Sequence, residues 1–194
     1  TEYLLEATVE DDNGNSMSFI TRFFGYNPHL PEVVINEFTC QGSGNHPDVV
    51  ELFVKSGGNL AGATLCEGTK DNWDDRLIFP NFPVVSGDYV VVHFKPEGSD
   101  EEVDETGDKT ASGGLDATDI AFDFWVEEGR GLSGNNGAIT LYSTPRGRLL
   151  DCVVYSNRTS QSDEKYRGFG TKKVMEWVDE IAEEGGWEIK GEYI

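Results

Sequence analysis

Short runs of strand-forming residues follow one another along most of this chain, each closed by turn residues, and this rhythm constrains the fold more than any other feature. Residues 33–38, 49–55, 63–66, 76–79, 88–94, 120–126, 138–143 and 149–155 are rich in Val, Ile, Leu, Phe, Thr and Tyr. Between them stand clusters such as Gly42-Ser43-Gly44-Asn45-His46-Pro47 and Thr144-Pro145-Arg146-Gly147. Many short strands with turn signals between them pack as a β-sandwich or barrel.

The pattern divides the chain into three parts. Residues 3–26 read as a β-hairpin, with Leu5, Ala7 and Val9 alternating with Glu6, Thr8 and Glu10 before an Asp12-Asn13-Gly14-Asn15 turn. Asn27-Pro28-His29-Leu30-Pro31 then breaks the pattern. A lone hairpin is only marginally stable. Residues 1–30 therefore either pad the next unit or form the tail of a truncated upstream module. The opening Thr1-Glu2-Tyr3, without Met, fits a processed or trimmed piece. Residues 31–160 make the sandwich, and 161–194 a C-terminal extension with one helix at 171–184. That helix carries Val174, Trp177, Val178 and Ile181 on one stripe and is stopped by Gly185-Gly186. Lys172 and Lys173 at its start oppose the macrodipole, so it depends on docking its stripe against the sheet. Residues 96–118, rich in Asp, Glu, Gly and Ser, read as a long mobile polar insertion.

Charge narrows the partners. Acids outnumber bases 36 to 15, a net charge of -21, which repels nucleic-acid backbone and anionic lipid and favours cations and basic partners. No stretch approaches the roughly 18 consecutive apolar residues of a membrane span.

Few motifs carry chemistry. Gly129-Arg130-Gly131-Leu132-Ser133-Gly134 matches GxGxxG, but a strand-type run follows it where a dinucleotide site needs a helix, so the glycines read as turn formers. His29, His46 and His93 belong to no metal or catalytic pair; His93 reads as facing solvent by alternation. There is no Gly-x-Ser-x-Gly elbow. No catalytic residue is assigned, and the chain reads as not an enzyme. Cys40, Cys66 and Cys152 read as buried small hydrophobes, with one disulfide plus a free thiol as the alternative. Lys165, Arg167, Lys172 and Lys173 form a basic cluster that reads as ordinary surface charge.

The acids give the one candidate metal site. Glu37 and Glu51 fall roughly opposite each other if the loop between their strands centres on Gly44, and Asp48 begins the second strand. Opposed like charges need solvation, a basic neighbour or a shared cation. Calcium, with its six to eight oxygen ligands, suits such a set. The candidate metal ligands are Glu37, Asp48 and Glu51, against the plainer reading of a solvated face. Asp116, Asp119 and Asp123 form a second acidic series; the acids from Asp100 to Asp108 form a third and read as a solvated loop.

An ordered set of motifs resembles the lamin-tail domain family of bacterial type. Val34-Ile35-Asn36-Glu37-Phe38, a Gly-rich loop and Asp48-Val49-Val50-Glu51-Leu52 resemble the opening of those domains. Leu60-Ala61-Gly62-Ala63-Thr64-Leu65 is similar to their Leu-x-Gly-x-x-Leu step. Phe79-Pro80-Asn81-Phe82 with Ser86-Gly87-Asp88-Tyr89-Val90-Val91-Val92 is similar to their Phe-Pro turn and buried strand. The run 132–141, then Gly147 and 150–155, resembles their closing hairpin. The resemblance covers about residues 32–156. Val49 stands where bacterial members often carry Trp, and the 96–118 insertion is long. Residues 1–30 resemble the last hairpin of an upstream immunoglobulin-like module.

The resemblance implies an all-β, immunoglobulin-like β-sandwich, here with one C-terminal amphipathic helix. It implies a non-catalytic interaction or adhesion module of an exported or surface-attached bacterial protein, binding another protein or an extracellular polymer without a cofactor. A calcium-stabilised spacer domain and an accessory domain of a secreted hydrolase or nuclease are the alternatives.

Overall fold

The computed structural model describes residues 2–188, without the Glu2 side chain; Thr1 and residues 189–194 of the expected C-terminal extension lie outside the described residues. In chain order the elements are β1 (Glu2–Glu10), β2 (Ser16–Phe24), β3 (Glu32–Thr39), β4 (Val49–Ser56), β5 (Gly58–Asn59), β6 (Thr64–Gly68), β7 (Trp73–Ile78), β8 (Pro83–Val84), β9 (Tyr89–His93), β10 (Phe122–Trp125), β11 (Asn136–Tyr142), β12 (Leu149–Ser156), α1 (Lys165–Gly168) and α2 (Lys172–Glu183).

Two four-stranded sheets, ordered β10-β9-β4-β3 and β12-β11-β6-β7, face each other. Alternation puts Val50, Leu52, Val54, Val90, Val92, Phe122 and Phe124 of the first sheet between the layers, against Leu65, Leu77, Ile139 and Leu141 of the second. Phe79, Phe82 and Phe124 meet there in tilted and edge-to-face pairs with centroids 5.0–5.1 Å apart. This is the all-β sandwich with a C-terminal helix that the strand rhythm implies.

The helix closes the far side of the second sheet. Val174, Trp177, Val178 and Ile181 of α2 are buried with Ala138 and Phe169, against partly buried Leu149, Cys152 and Val154. Strand β11 is therefore buried on both faces. Thr171 caps α2 through Oγ1, accepting from Val174 N at 3.2 Å. Gly185, at φ +78°, ends it: Gly185 N donates to Ala182 O and Gly186 N to Ile181 O, a Schellman closure.

All sheet neighbours run antiparallel except β9 and β10, which are parallel. Parallel neighbours cannot be joined by a tight turn; the chain must return to the start of the strand before pairing. The acidic stretch between them is that return. It is an ordered crossover, where the composition predicts a mobile insertion.

Candidate functional site

The outer side of the β10-β9-β4-β3 sheet carries both a buried polar network and a groove. Register builds it in rows. Phe53 pairs with Tyr89, ring centroids 5.0 Å apart. Glu37, Glu51, Val91 and Asp123 form the next row, and Thr39, Val49, His93 and Trp125 the one after. The crossover covers β10 and the His93 end of β9 and leaves β3, β4 and the Tyr89–Val91 part of β9 open.

The covered half is a buried polar network. His93 Nε2 lies 2.8 Å from Asp123 Oδ1, with both side chains fully buried, and the imidazole stacks on Trp125 at 3.9 Å. Asp123 Oδ2 accepts from Thr118 N at 2.7 Å. Glu105, also buried, accepts from Asp123 N and Ser112 N, both at 2.8 Å, and Asp104 Oδ1 accepts from Trp125 N at 2.9 Å. β10 is an edge strand, and these carboxylates satisfy N–H groups that a further strand would otherwise take. His93 is thus buried, against the solvent-facing reading. The alternation does put it on the outer face, but the crossover roofs that face. His93 Nδ1 finds no partner among the described residues.

The open half is a groove. One part, of about 420 Å³, is lined by Asn36, Glu51, Tyr89, Thr118, Ile120 and Ala121 with Val91. The adjoining part, of about 240 Å³, adds Glu37, Phe38, Thr39, Val49 and Asp116, and shares Glu51, Val91 and Thr118. Ile120 on the rim is 82% exposed. Glu51 accepts from Asn36 Nδ2 at 2.6 Å, and His46 Nδ1 lies 3.1 Å from Asp116 Oδ1 at the groove's end. Neither Glu37 nor Glu51 meets a Lys or Arg among the described residues.

The structure brings two of the three candidate metal ligands together and separates the third. Glu37 and Glu51 are direct register partners, as the loop centring predicts. Asp48 has the parity of Val50 and turns to the other face of β4. Its Oδ1 accepts from Gly42 N at 2.7 Å and its Oδ2 from Leu132 N at 2.8 Å. Two glutamates fall short of calcium's six to eight oxygens. Among the described residues no group of three or more His, Cys, Asp or Glu could hold a metal ion.

The family model described as a protein second domain matches residues 31–194. The chain belongs to this second-domain family. An uncharacterized protein of Treponema pallidum (strain Nichols) is 30% identical over 158 residues. That match covers 80% of this chain and 39% of the relative, so the chain spans about two fifths of the curated protein it matches.

In this second domain the GxGxxG stretch is a loop held from within by acids. Asp75 Oδ2 accepts from Arg130 N at 3.0 Å, Asp48 Oδ2 from Leu132 N, and Glu67 Oε1 from Ser133 N at 2.7 Å. A phosphate-binding loop offers such N–H groups to the ligand; here carboxylates hold them. Gly131 sits at φ +92°, and a Cβ on Gly129 would lie 2.5 Å from Phe94 O. The turn-forming reading of these glycines describes them.

Burial pushes Glu67 up to about 7, against its ordinary 4.5, with Asp74 and Asp75 adding to the effect. In the unfolded chain the group ionises near its ordinary value. Between pH 4.5 and 7 the folded state therefore holds a proton that the unfolded state has lost, and stability falls as pH rises through that window. Glu67→Gln keeps the acceptor for Ser133 and removes the charge. It is expected to be neutral at pH 4 and stabilising by about 2 kcal/mol at pH 8. Urea melts at the two pH values check this; an equal difference at both would refute the assignment.

The second domain's three thiols are unpaired; Cys66 is buried, as the small-hydrophobe reading expects, while Cys40 and Cys152 are half-buried. Burial pushes Cys66 up to about 12 and Cys152 up to about 11, and Cys40 is raised as well. Each is thereby kept from the thiolate form that nucleophilic chemistry needs. The basic cluster is largely neutralised: Lys173 pairs with Asp74, Lys172 with Glu176 at 3.1 Å and Arg167 with Asp179 at 2.6 Å. Among the described residues no helix is long and apolar enough to cross a membrane.

Proposed function

We propose that the chain is a non-catalytic interaction module of an exported or surface-attached bacterial protein, and that its partner is a protein segment rich in Lys or Arg, taken up in the groove on the open half of the β10-β9-β4-β3 sheet. The observation that carries this reading is the in-register Glu37–Glu51 pair beside Val91, Tyr89 and Ile120. Two like charges directly opposed across a ladder cost free energy. A cationic side chain laid between them relieves that cost, while the apolar wall supplies contact area. The resemblance to lamin-tail domains supports the interaction role and the exported setting, and the Treponema relative supports a bacterial one. The net charge of -21 would speed encounter with a basic partner and repel nucleic acid.

A fluorescent peptide alternating Lys with Leu tests this by anisotropy at about 0.15 M salt, where exposed charges beyond about 8 Å are screened. Binding is expected for the wild type. The charge-reversed double variant Glu37→Lys/Glu51→Lys should bind at least tenfold more weakly. Equal binding by both proteins, or none by either, would sink the reading.

A further inference from the structure

The β1–β2 hairpin presents an unpartnered apolar face. Its register pairs Tyr3 with Phe23, Leu5 with Thr21, Ala7 with Phe19 and Val9 with Met17. Odd-numbered positions of both strands share one face, so Tyr3, Leu5, Val9, Met17, Phe19 and Phe23 lie side by side, while the other face sets Leu4, Ile20 and Phe24 among Glu6, Glu10, Thr8, Ser18 and Arg22. This is the pattern of a sheet with one face in a core. Yet exposure on the apolar face runs from 38% at Phe19 to 61% at Met17. Among the described residues the hairpin pairs with no other strand. It meets the sandwich at its base, where Phe24 lies against Gly62 and Asn27 Nδ2 donates to Asn59 O at 2.7 Å.

We propose that this face is the inner face of the last hairpin of a first β domain, which precedes the second domain in the parent polypeptide. Three observations favour that occupant. The family match begins at residue 31, past the hairpin, and its description makes the matched unit a second domain. The Treponema relative is far longer than the matched region. Size argues against a second copy: two strands of nine residues at about 3.4 Å per residue and about 4.8 Å apart offer only about 300 Å² a side. A stable interface between separate chains needs about 800 Å² per partner. A segment tethered in the same polypeptide has an effective concentration near millimolar and needs less.

Amide exchange on the full-length protein and on the 194-residue chain tests the proposal. Residues 2–24 should exchange at least tenfold more slowly in the full-length protein. Leu5→Asp/Phe19→Asp should abolish that difference and leave the melting of the 194-residue chain unchanged. Equal exchange in the two proteins would overturn the proposal. So would dimerisation of the 194-residue chain at micromolar concentration, seen by light scattering and removed by the double variant, because a second copy would then be the occupant.

Discussion

Asp123→Ala is expected to cost about 3 kcal/mol and to lower the melting temperature by about 10 °C. The carboxylate is fully buried and serves two partners, His93 Nε2 through Oδ1 and Thr118 N through Oδ2. Truncation leaves both without an acceptor in a site that water does not reach, and a deserted buried polar group costs more than the net worth of the bond it made. Loss of the Thr118 contact also frees the end of the crossover from β10. Limited proteolysis should therefore cut within residues 96–121 in the variant and spare the wild type. Asp123→Asn should fall between them: its amide can donate to a His93 tautomer bare at Nε2 while its oxygen still accepts from Thr118. A melt unchanged in Asp123→Ala would show that the network holds nothing in place.

Trp177→Ala should cost about 3–5 kcal/mol, the usual range for deleting a large buried aromatic. Trp177 is the largest fully buried side chain among the described residues. Its ring packs against Gly68, at φ +112°, where an added Cβ would come within 2.8 Å of the indole. The indole N–H finds no acceptor among the described residues. Trp177→Phe, which removes that N–H along with some volume, should consequently lose well under half as much. Denaturant melts of the two variants separate the terms. Equal losses would mean that the ring's volume contributes little and that α2 is held by other contacts.

The sandwich was legible because alternation and turn residues are local signals. Val50, Leu52 and Val54 announce a buried face, and Val174, Trp177, Val178 and Ile181 announce a docked helix. The helix stop at Gly185-Gly186 and the Glu37–Glu51 opposition could be read for the same reason. Three things were not legible. The parallel pairing of β9 and β10 depends on which strands meet across 28 intervening residues, 94–121, and nothing local encodes that. The burial of His93 depends on the crossover that roofs it. Glu105 sits in a run whose composition reads as solvated and Asp123 in an acidic series given no partner, yet each is buried with both carboxylate oxygens occupied. The faint available signal was strand parity: Asp123 alternates with core Phe122 and Phe124, so it had to face something. Parity also separates Asp48 from Glu51, three residues on, and could have removed it from the candidate calcium set.

The acids that hold backbone N–H groups divide this chain's many carboxylates into two kinds. Surface acids such as Glu37 are exposed to solvent, and their exchange for amides costs the fold little. At Asp48, Glu102 and Glu105 both oxygens already face backbone N–H groups. An amide there replaces one acceptor with an NH₂ group and, wherever the facing group is a backbone N–H, sets donor against donor. Drift from Asp to Asn or Glu to Gln, nearly silent on most acidic surfaces, is therefore closed at these positions. The chain can shed much of its negative charge over evolutionary time, but not this part of it.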